Sequence, residues 1–540
     1  MMKRLILLPL ALLTTMMSWA NVVLPADFRV ITKDGSVAYF RGEGTEMVFN
    51  EEGTILTITS EGENAVVNYA VDGIEAIEFD ETEANKDKYS YAGTQIDVTM
   101  EAADEASYSE VKEQVITDDT HDDYGDFIEN YKAKNTVVIT YDGDKVTYSG
   151  NPSGVRVTAK GAHVTVTSTK KDIAYTLKGT TTNGSFKLYS NNKTQITLDN
   201  VSITNPTGAA INIQSGKTML IDITKDTKNV LEDGATYTTS TGEDQKGTFF
   251  SEGQLVFSGA GSLEVKSHGG HGIVSDDYVR VRGGNITVNS VRDGINTNDR
   301  FIMYGGTVTV EAQQDGLDIG KGYIEIGGGK LSVNAVDEGI TASYEGESDG
   351  STDPAITPYI DIKGGLVKVA TTGDKGHALR AMSTLTISGG TVLATVEGAG
   401  SKALMSEDNM SITEGKVKAF TTGDALYEAD IKEVSSSAAL RSKGTLTIKN
   451  TTLGLKSTGA GAKGINNVGA VAIENSQLTV VASGATYTAN GTTRSRGIDT
   501  DNSLKLNGGT LLVRSYDNPV TVGTTFTFAS SAVYAGYQVK

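Results

Sequence analysis

Between Tyr278 and Ala342 short runs of alternating apolar and polar residues recur along the chain. The first runs of three successive units are Tyr278-Val279-Arg280-Val281, Arg300-Phe301-Ile302-Met303 and Tyr323-Ile324-Glu325-Ile326. Glycines follow each, and then a second run: Asn285-Ile286-Thr287-Val288, Thr307-Val308-Thr309-Val310 and Lys330-Leu331-Ser332-Val333. A turn and an apolar residue close each unit, as Asp293-Gly294-Ile295, Asp315-Gly316-Leu317 and Glu338-Gly339-Ile340. Period-two alternation bounded by glycine predicts strands. Gly294 to Gly316 is 22 residues and Gly316 to Gly339 is 23. At that step the apolar positions stay in register: Val279, Phe301, Ile324; Val281, Met303, Ile326; Ile286, Val308, Leu331; Ile295, Leu317, Ile340. Three short strands per step match one coil of a right-handed parallel β-helix, with coils stacked about 4.8 Å apart. A leucine-rich repeat has a similar period, but its Leu-x-x-Leu-x-Leu signature is missing; a propeller blade needs about 40 residues.

The pattern loosens on both sides of this stretch. Glycine pairs recur at Gly364-Gly365, Gly389-Gly390 and Gly508-Gly509, and two insertions, 344–358 and 485–496, read as loops at coil corners. Residues 27 to 80 read as short strands separated by turns such as Asp34-Gly35. From Asp80 to about Asn135 the chain turns acidic and weakly periodic, with a short helix expected around Ala106 to Ile116. The predicted class is all-β. A leader (1–20) and a small β-domain (21–80) come first, then an acidic linker (81–135) and a β-helix (136–540) of about 22 residues per coil.

The leader reading rests on Lys3 and Arg4, the apolar run Leu5 to Leu13, and Ser18-Trp19-Ala20. Basic, apolar and small-x-small regions in that order are a secretory signal peptide, too short to anchor in a membrane. The expected place of the protein is extracellular, at the cell surface or in the periplasm. An exported chain could use disulfides, yet this one has no Cys, so neither disulfides nor thiolate metal sites contribute. Its only Trp is Trp19, and the formal charge is −20. That charge argues against nucleic acid and anionic membranes, both of which attract basic surfaces. Acidic groups suit hard cations such as calcium, and they also keep a secreted surface soluble.

Asp126-Phe127-Ile128-Glu129-Asn130, Asn200-Val201-Ser202-Ile203-Thr204, Gly208-Ala209-Ala210-Ile211-Asn212-Ile213 and Phe249-Phe250-Ser251 belong together with the turns at Gly272, Gly294 and Gly316. Over about residues 120 to 540 they resemble a bacterial family of secreted carbohydrate-binding proteins with a polysaccharide-lyase-like right-handed β-helix. The resemblance implies calcium binding and affinity for plant-wall-type polysaccharide.

Two sets of residues carry candidate chemistry. Asp293, Asp315 and Glu338 precede the turn glycine of successive coils, with Asp299, Asp318, Asp337 and Asn298 nearby. Like charges at strand spacing repel, so the stack calls for solvation, protonation or a bridging cation. Asp-Gly is also ordinary turn chemistry. The second set is the outward face of the strand before each glycine pair: Tyr278, Arg280, Arg282, Arg300, Tyr304, Tyr323, Tyr359 and Lys363. Rings stack on sugars and Arg forks hold carboxylates, whereas cross-strand pairing would use the same residues for stability alone.

The expected function is calcium-dependent polysaccharide binding, with no catalytic residue assigned. A β-helix lyase is the alternative, using calcium and a base drawn from Arg280, Arg282, Arg300 or Lys321. A hydrolase would need paired carboxylates such as Asp315 and Asp318. A structural adhesin is the remaining reading.

Overall fold

The computed structural model describes residues 3–5, 27–33, 37–40, 42, 44–50, 53–60, 65–80, 96–347, 349–529 and 532–539. The apolar run and cleavage site of the expected leader fall mostly within 6–26, outside the described residues, as does the first part of the acidic stretch, 81–95. The chain is all-β and dominated by long parallel ladders. Its packing divides it into two compact units, Ala103–Leu393, and Met1–Ala102 with Ala394–Lys540.

In the unit Ala103–Leu393 each step along the sequence contributes three strands. One set is Tyr278–Val281, Asn285–Ser290 and Ile295–Thr297. The next is Arg300–Met303, Thr307–Ala312 and Leu317–Ile319, followed by Tyr323–Ile326, Lys330–Ala335 and Ile340–Ala342. Every strand pairs in parallel with its counterpart in the next set, so that Val279 opposes Phe301 and Phe301 opposes Ile324. Ile286, Val308 and Leu331 form a second column, and Ile295, Leu317 and Ile340 a third. All these side chains are buried. Burying each stabilises by roughly 1.5–3 kcal/mol before the entropy of ordering is counted, and repetition makes the core continuous. The insertion 344–358 lies between Ile340–Ala342 and Ile360–Ile362.

The ladder's first strands are finished by antiparallel hairpins. Asn135–Asp142 folds back on Lys145–Ser149, and Val155–Lys160 on Ala162–Ser168. Such hairpins cover an edge that would otherwise template aggregation.

The acidic segment differs from its expected form. Over Ala106 to Ile116 there is no helix; the only regular pieces nearby are 3-10 turns at Ala102–Glu105, Asp122–Asp126 and Ile128–Asn130. The backbone instead runs extended along the ladder. Val111 N–H donates to Gly327 O at 2.7 Å, and Ser109 O accepts from Gly365 N–H at 2.7 Å. Its polar backbone is satisfied by neighbouring strands, which removes the need for helical bonds. The glycine pairs make room for it. A Cβ at Gly364 would collide with Gly327 O and lie 2.9 Å from Ser109 O. Gly365 meanwhile turns the chain with φ +86°, a conformation L side chains disfavour.

In the other unit Lys402–Ser406, Ala438–Ser442, Lys463–Asn467, Ile498–Thr500 and Val520–Val522 form a parallel series. The strands of residues 27–80 join this unit's last strand. Ala65–Ala70 pairs antiparallel with Ala532–Val539, which itself lies parallel on Leu504–Ser515. Phe28 and Phe40 stack at 5.1 Å, and Tyr69 and Tyr537 are buried in the same cluster. Lys3–Leu5 is placed antiparallel to Ile77–Phe79.

Candidate functional site

The acid column stands in the unit Ala103–Leu393. Its rungs are set by turn-glycine amides: Gly272 N–H donates to Asp293 O, Gly294 to Asp315 O, Gly316 to Glu338 O and Gly339 to His377 O, at 2.7–3.0 Å. The residues before these turns therefore stack in the order His271, Asp293, Asp315, Glu338, His377. Asp315 N–H lies 3.3 Å from Asp293 Oδ1, and Glu338 N–H donates to Asp315 Oδ1 at 2.9 Å. Three residues after each of Asp293, Asp315, Glu338 and His377, the residues Asn296, Asp318, Thr341 and Arg380 form a parallel row. The Asn296 amide donates to Asp293 Oδ2 and Asp318 Oδ2, each at 3.0 Å, tying the two rows together.

The electrostatics follow from burial and like charge. Burial, then the charges of Glu338 and Asp293, push the Asp315 carboxyl up to about 8. Burial and Asp293 push Asp318 up to about 6. Burial raises Glu338 as well, although Arg380 stands 3.6 Å away. Burial acts on Asp293 too, but His271 Nδ1, 3.0 Å from its Oδ2, and the Asn296 amide outweigh it and hold the carboxyl below its usual range. Thr341 Oγ1 is buried beside Asp318 with no hydrogen-bond partner.

Of the six acids picked out in the sequence, Asp293, Asp315, Asp318 and Glu338 come together. Asp299 stands at the far end of Ile295–Thr297, where its N–H donates to Asp277 O at 2.8 Å. Asp337 is exposed. His271, His377, Asn296 and Arg380 also stand on these two rows, beyond the acids that the turn spacing points to. The 22-residue step from Asp293 back to His271 would have found the first of them. Among the described residues no three His, Asp or Glu side chains form a closed metal cage. Asp293, Asp315, Asp318 and Glu338 are the residues that would hold an ion on this column, and their carboxylate oxygens suit a hard cation.

The expected open stripe is largely a covered face. Arg280 is 5 % exposed. Its guanidinium is held by Glu113 at 2.6 Å, Asp126 at 3.0 Å and Asp123 at 3.2 Å. Arg282 pairs with Glu113 and Glu129 at 2.7 and 2.8 Å, over the Phe127 ring at 4.3 Å. Tyr278 OH donates to Asp126 Oδ1 at 2.6 Å. The acidic segment, far upstream in sequence, supplies every one of these partners.

The remaining stripe residues pair with one another and with neighbouring charges. Arg300 lies 4.2 Å from the Tyr278 ring and pairs with Asp123 at 3.2 Å. Tyr323 and Tyr359 stack at 4.7 Å with an interplanar angle of 3°. Tyr304 OH donates to Glu325, which also takes Lys363 at 2.7 Å. Stacking takes one face of each of these two rings, so Tyr323 and Tyr359 do not lie side by side as a flat aromatic platform.

Among the described residues no helix is long and apolar enough to cross a membrane. A carbohydrate-binding domain-containing protein of Acetivibrio thermocellus is 30% identical over 154 residues, 28% of this chain and 52% of that protein. The match thus spans about half the length of the relative. The solved structure of a polysaccharide lyase-like protein from C. thermocellum, a gadolinium derivative, is 24% identical. It covers 52% of this chain and 99% of that one with a TM-score of 0.39. The family model for carbohydrate-binding domain-containing proteins matches residues 160–462 and 364–536. Together these spans take in well over half of the 540 residues, and the chain belongs to the carbohydrate-binding domain-containing protein family.

Proposed function

We propose that this chain is an exported, calcium-dependent polysaccharide-binding protein for acidic, plant-wall-type glycan. In this reading Met1 to Ala20 direct export, and the parallel ladders wind as a right-handed β-helix of about 22 residues per coil. The 22- and 23-residue steps in strand pairing support that winding, as does the right-handed preference of parallel crossovers. The observation that carries the function is the stack of Asp293, Asp315 and Glu338 beside Asp318. Burial and mutual repulsion push Asp315 up to about 8. A divalent cation held by these carboxylates would relieve that repulsion and supply positive charge to meet a uronate carboxylate.

The test is mobility of residues 21–540 in native gels containing polygalacturonate, xylan or a cellulose derivative, with calcium or with chelator. Stronger retardation in calcium than in chelator is expected; equal mobility with calcium and with chelator in every gel overturns the reading. A hydrolase is the second reading. It draws on Asp293 being held ionised while Asp315 and Asp318 are pushed up to about 8 and 6, a separation suited to acid and base roles. New reducing ends released from the polymer would establish it.

A further inference from the structure

A cleft of about 380 Å³ opens in the unit Ala103–Leu393, away from the acid column. One wall is the acidic segment with Tyr124, Gly125 and Tyr131, and the other is a corner of the first parallel strands carrying Lys171, Lys193 and Lys217. The corner residues come from consecutive rungs. Ala174 opposes Gln195 and Thr194 opposes Met219, so the turns before these strands stack. In a chain of net charge −20, three lysines line this cleft, Lys193 half-buried and Lys171 and Lys217 exposed.

Their charge is not neutralised from within. Lys171, Lys193 and Lys217 make no ion pair with the described residues, and the one carboxylate in the lining, Asp172, is taken by Lys134 at 2.6 Å. Lys193 is half-buried, and burial lowers its pKa against the partial opposition of Asp126. Its Nζ occupies space that only a glycine at 125 leaves open, because a Cβ there would collide with it. A desolvated ammonium without a partner is costly unless an anion meets it. The Asn191 and Asn192 side chains in the lining add amide groups, and Tyr124 and Tyr131 add aromatic surface. The volume lies near the lower end for small-ligand sites, room for about one or two sugar rings.

We infer that this cleft is a second, calcium-independent glycan subsite, in which Lys193, with Lys171 and Lys217, takes the carboxylate of a uronic acid residue. The sugar rests on the reading of the chain as a polysaccharide binder; the anion rests on the lysines. The subsite differs from the acid column in the sign of its protein charge. Protein ammonium groups, rather than a bridging ion, meet the ligand.

The test is calorimetric titration of residues 21–540 with trigalacturonate, neutral galactotriose and inorganic phosphate, each in chelator. Wild type is expected to bind trigalacturonate in chelator and to bind the neutral trimer at least about tenfold more weakly. Lys193→Met should weaken trigalacturonate binding about tenfold or more, the scale of a charge-assisted hydrogen bond, with the melting temperature unchanged. Gly125→Ala, which keeps the charge but displaces Nζ, should weaken it in the same direction. Unchanged affinity in both folded variants overturns the proposal, as does phosphate binding as tight as trigalacturonate. Binding that needs calcium and ignores Lys193→Met overturns the subsite and leaves the acid-column reading standing. Lysine-dependent binding in chelator, with no calcium effect on gel mobility, does the reverse.

Discussion

Arg280 shows how a side chain assigned to recognition becomes part of the fold. Strand alternation points it outward, and outward it meets Glu113, Asp123 and Asp126. Asp126 is 2 % exposed, and burial raises its carboxyl even with Tyr278 and Arg280 beside it. Arg280→Ala is therefore expected to destabilise by about 3–5 kcal/mol, the cost of stranding a buried partner, measured by urea unfolding. Arg282→Ala should cost less, because Glu129 is solvated, its side chain 49% exposed. Asp315 makes a prediction of opposite sign. Its carboxyl is pushed up to about 8 from 3.8, so between those values the folded state holds more protons than the unfolded chain. Stability then falls as pH rises through that window. In chelator the wild type should melt lower at pH 8 than at pH 5, and Asp315→Asn should flatten the difference. A steeper pH dependence in the variant would reject the assignment.

At the scale of elements, the stacking of equivalent positions was legible and the covering segment was not. The columns Val279, Phe301, Ile324 and Ile295, Leu317, Ile340 follow from spacing alone, because a parallel ladder repeats one side-chain orientation at every rung. Phe301 is fully buried, and Phe301→Ala should cost about 3–5 kcal/mol in thermal or urea unfolding, as a cavity no neighbour can fill. The stretch 107–113 lacked any periodic signal because its bonds go to distant strands rather than to itself. Its closest approaches run over glycines. Gly364→Ala is accordingly expected to loosen it and to raise proteolysis near Ser109 while the ladder stays folded. Resistance to proteolysis equal to wild type would count against that role.

For the molecule as a whole, an ion bound only by the folded chain raises stability by mass action, about 2.7 kcal/mol at a hundredfold excess over Kd. Chelator should therefore lower the melting temperature of the wild type and leave Asp315→Asn nearly unmoved. An identical melting curve with and without chelator would remove calcium from the account. The sequence by itself determined the strand period, the apolar columns and the gathering of Asp293, Asp315 and Glu338, because each is repeated at a fixed step. Only the tertiary structure decided that Asp299 stands apart and that the Tyr278 to Arg300 face is covered. It alone placed three lysines on one cleft opposite Tyr124 and Tyr131. The physical reason is the same in each case. A repeat fixes which residues share a rung, whereas what covers that rung is set by long-range contacts whose residues carry no common spacing.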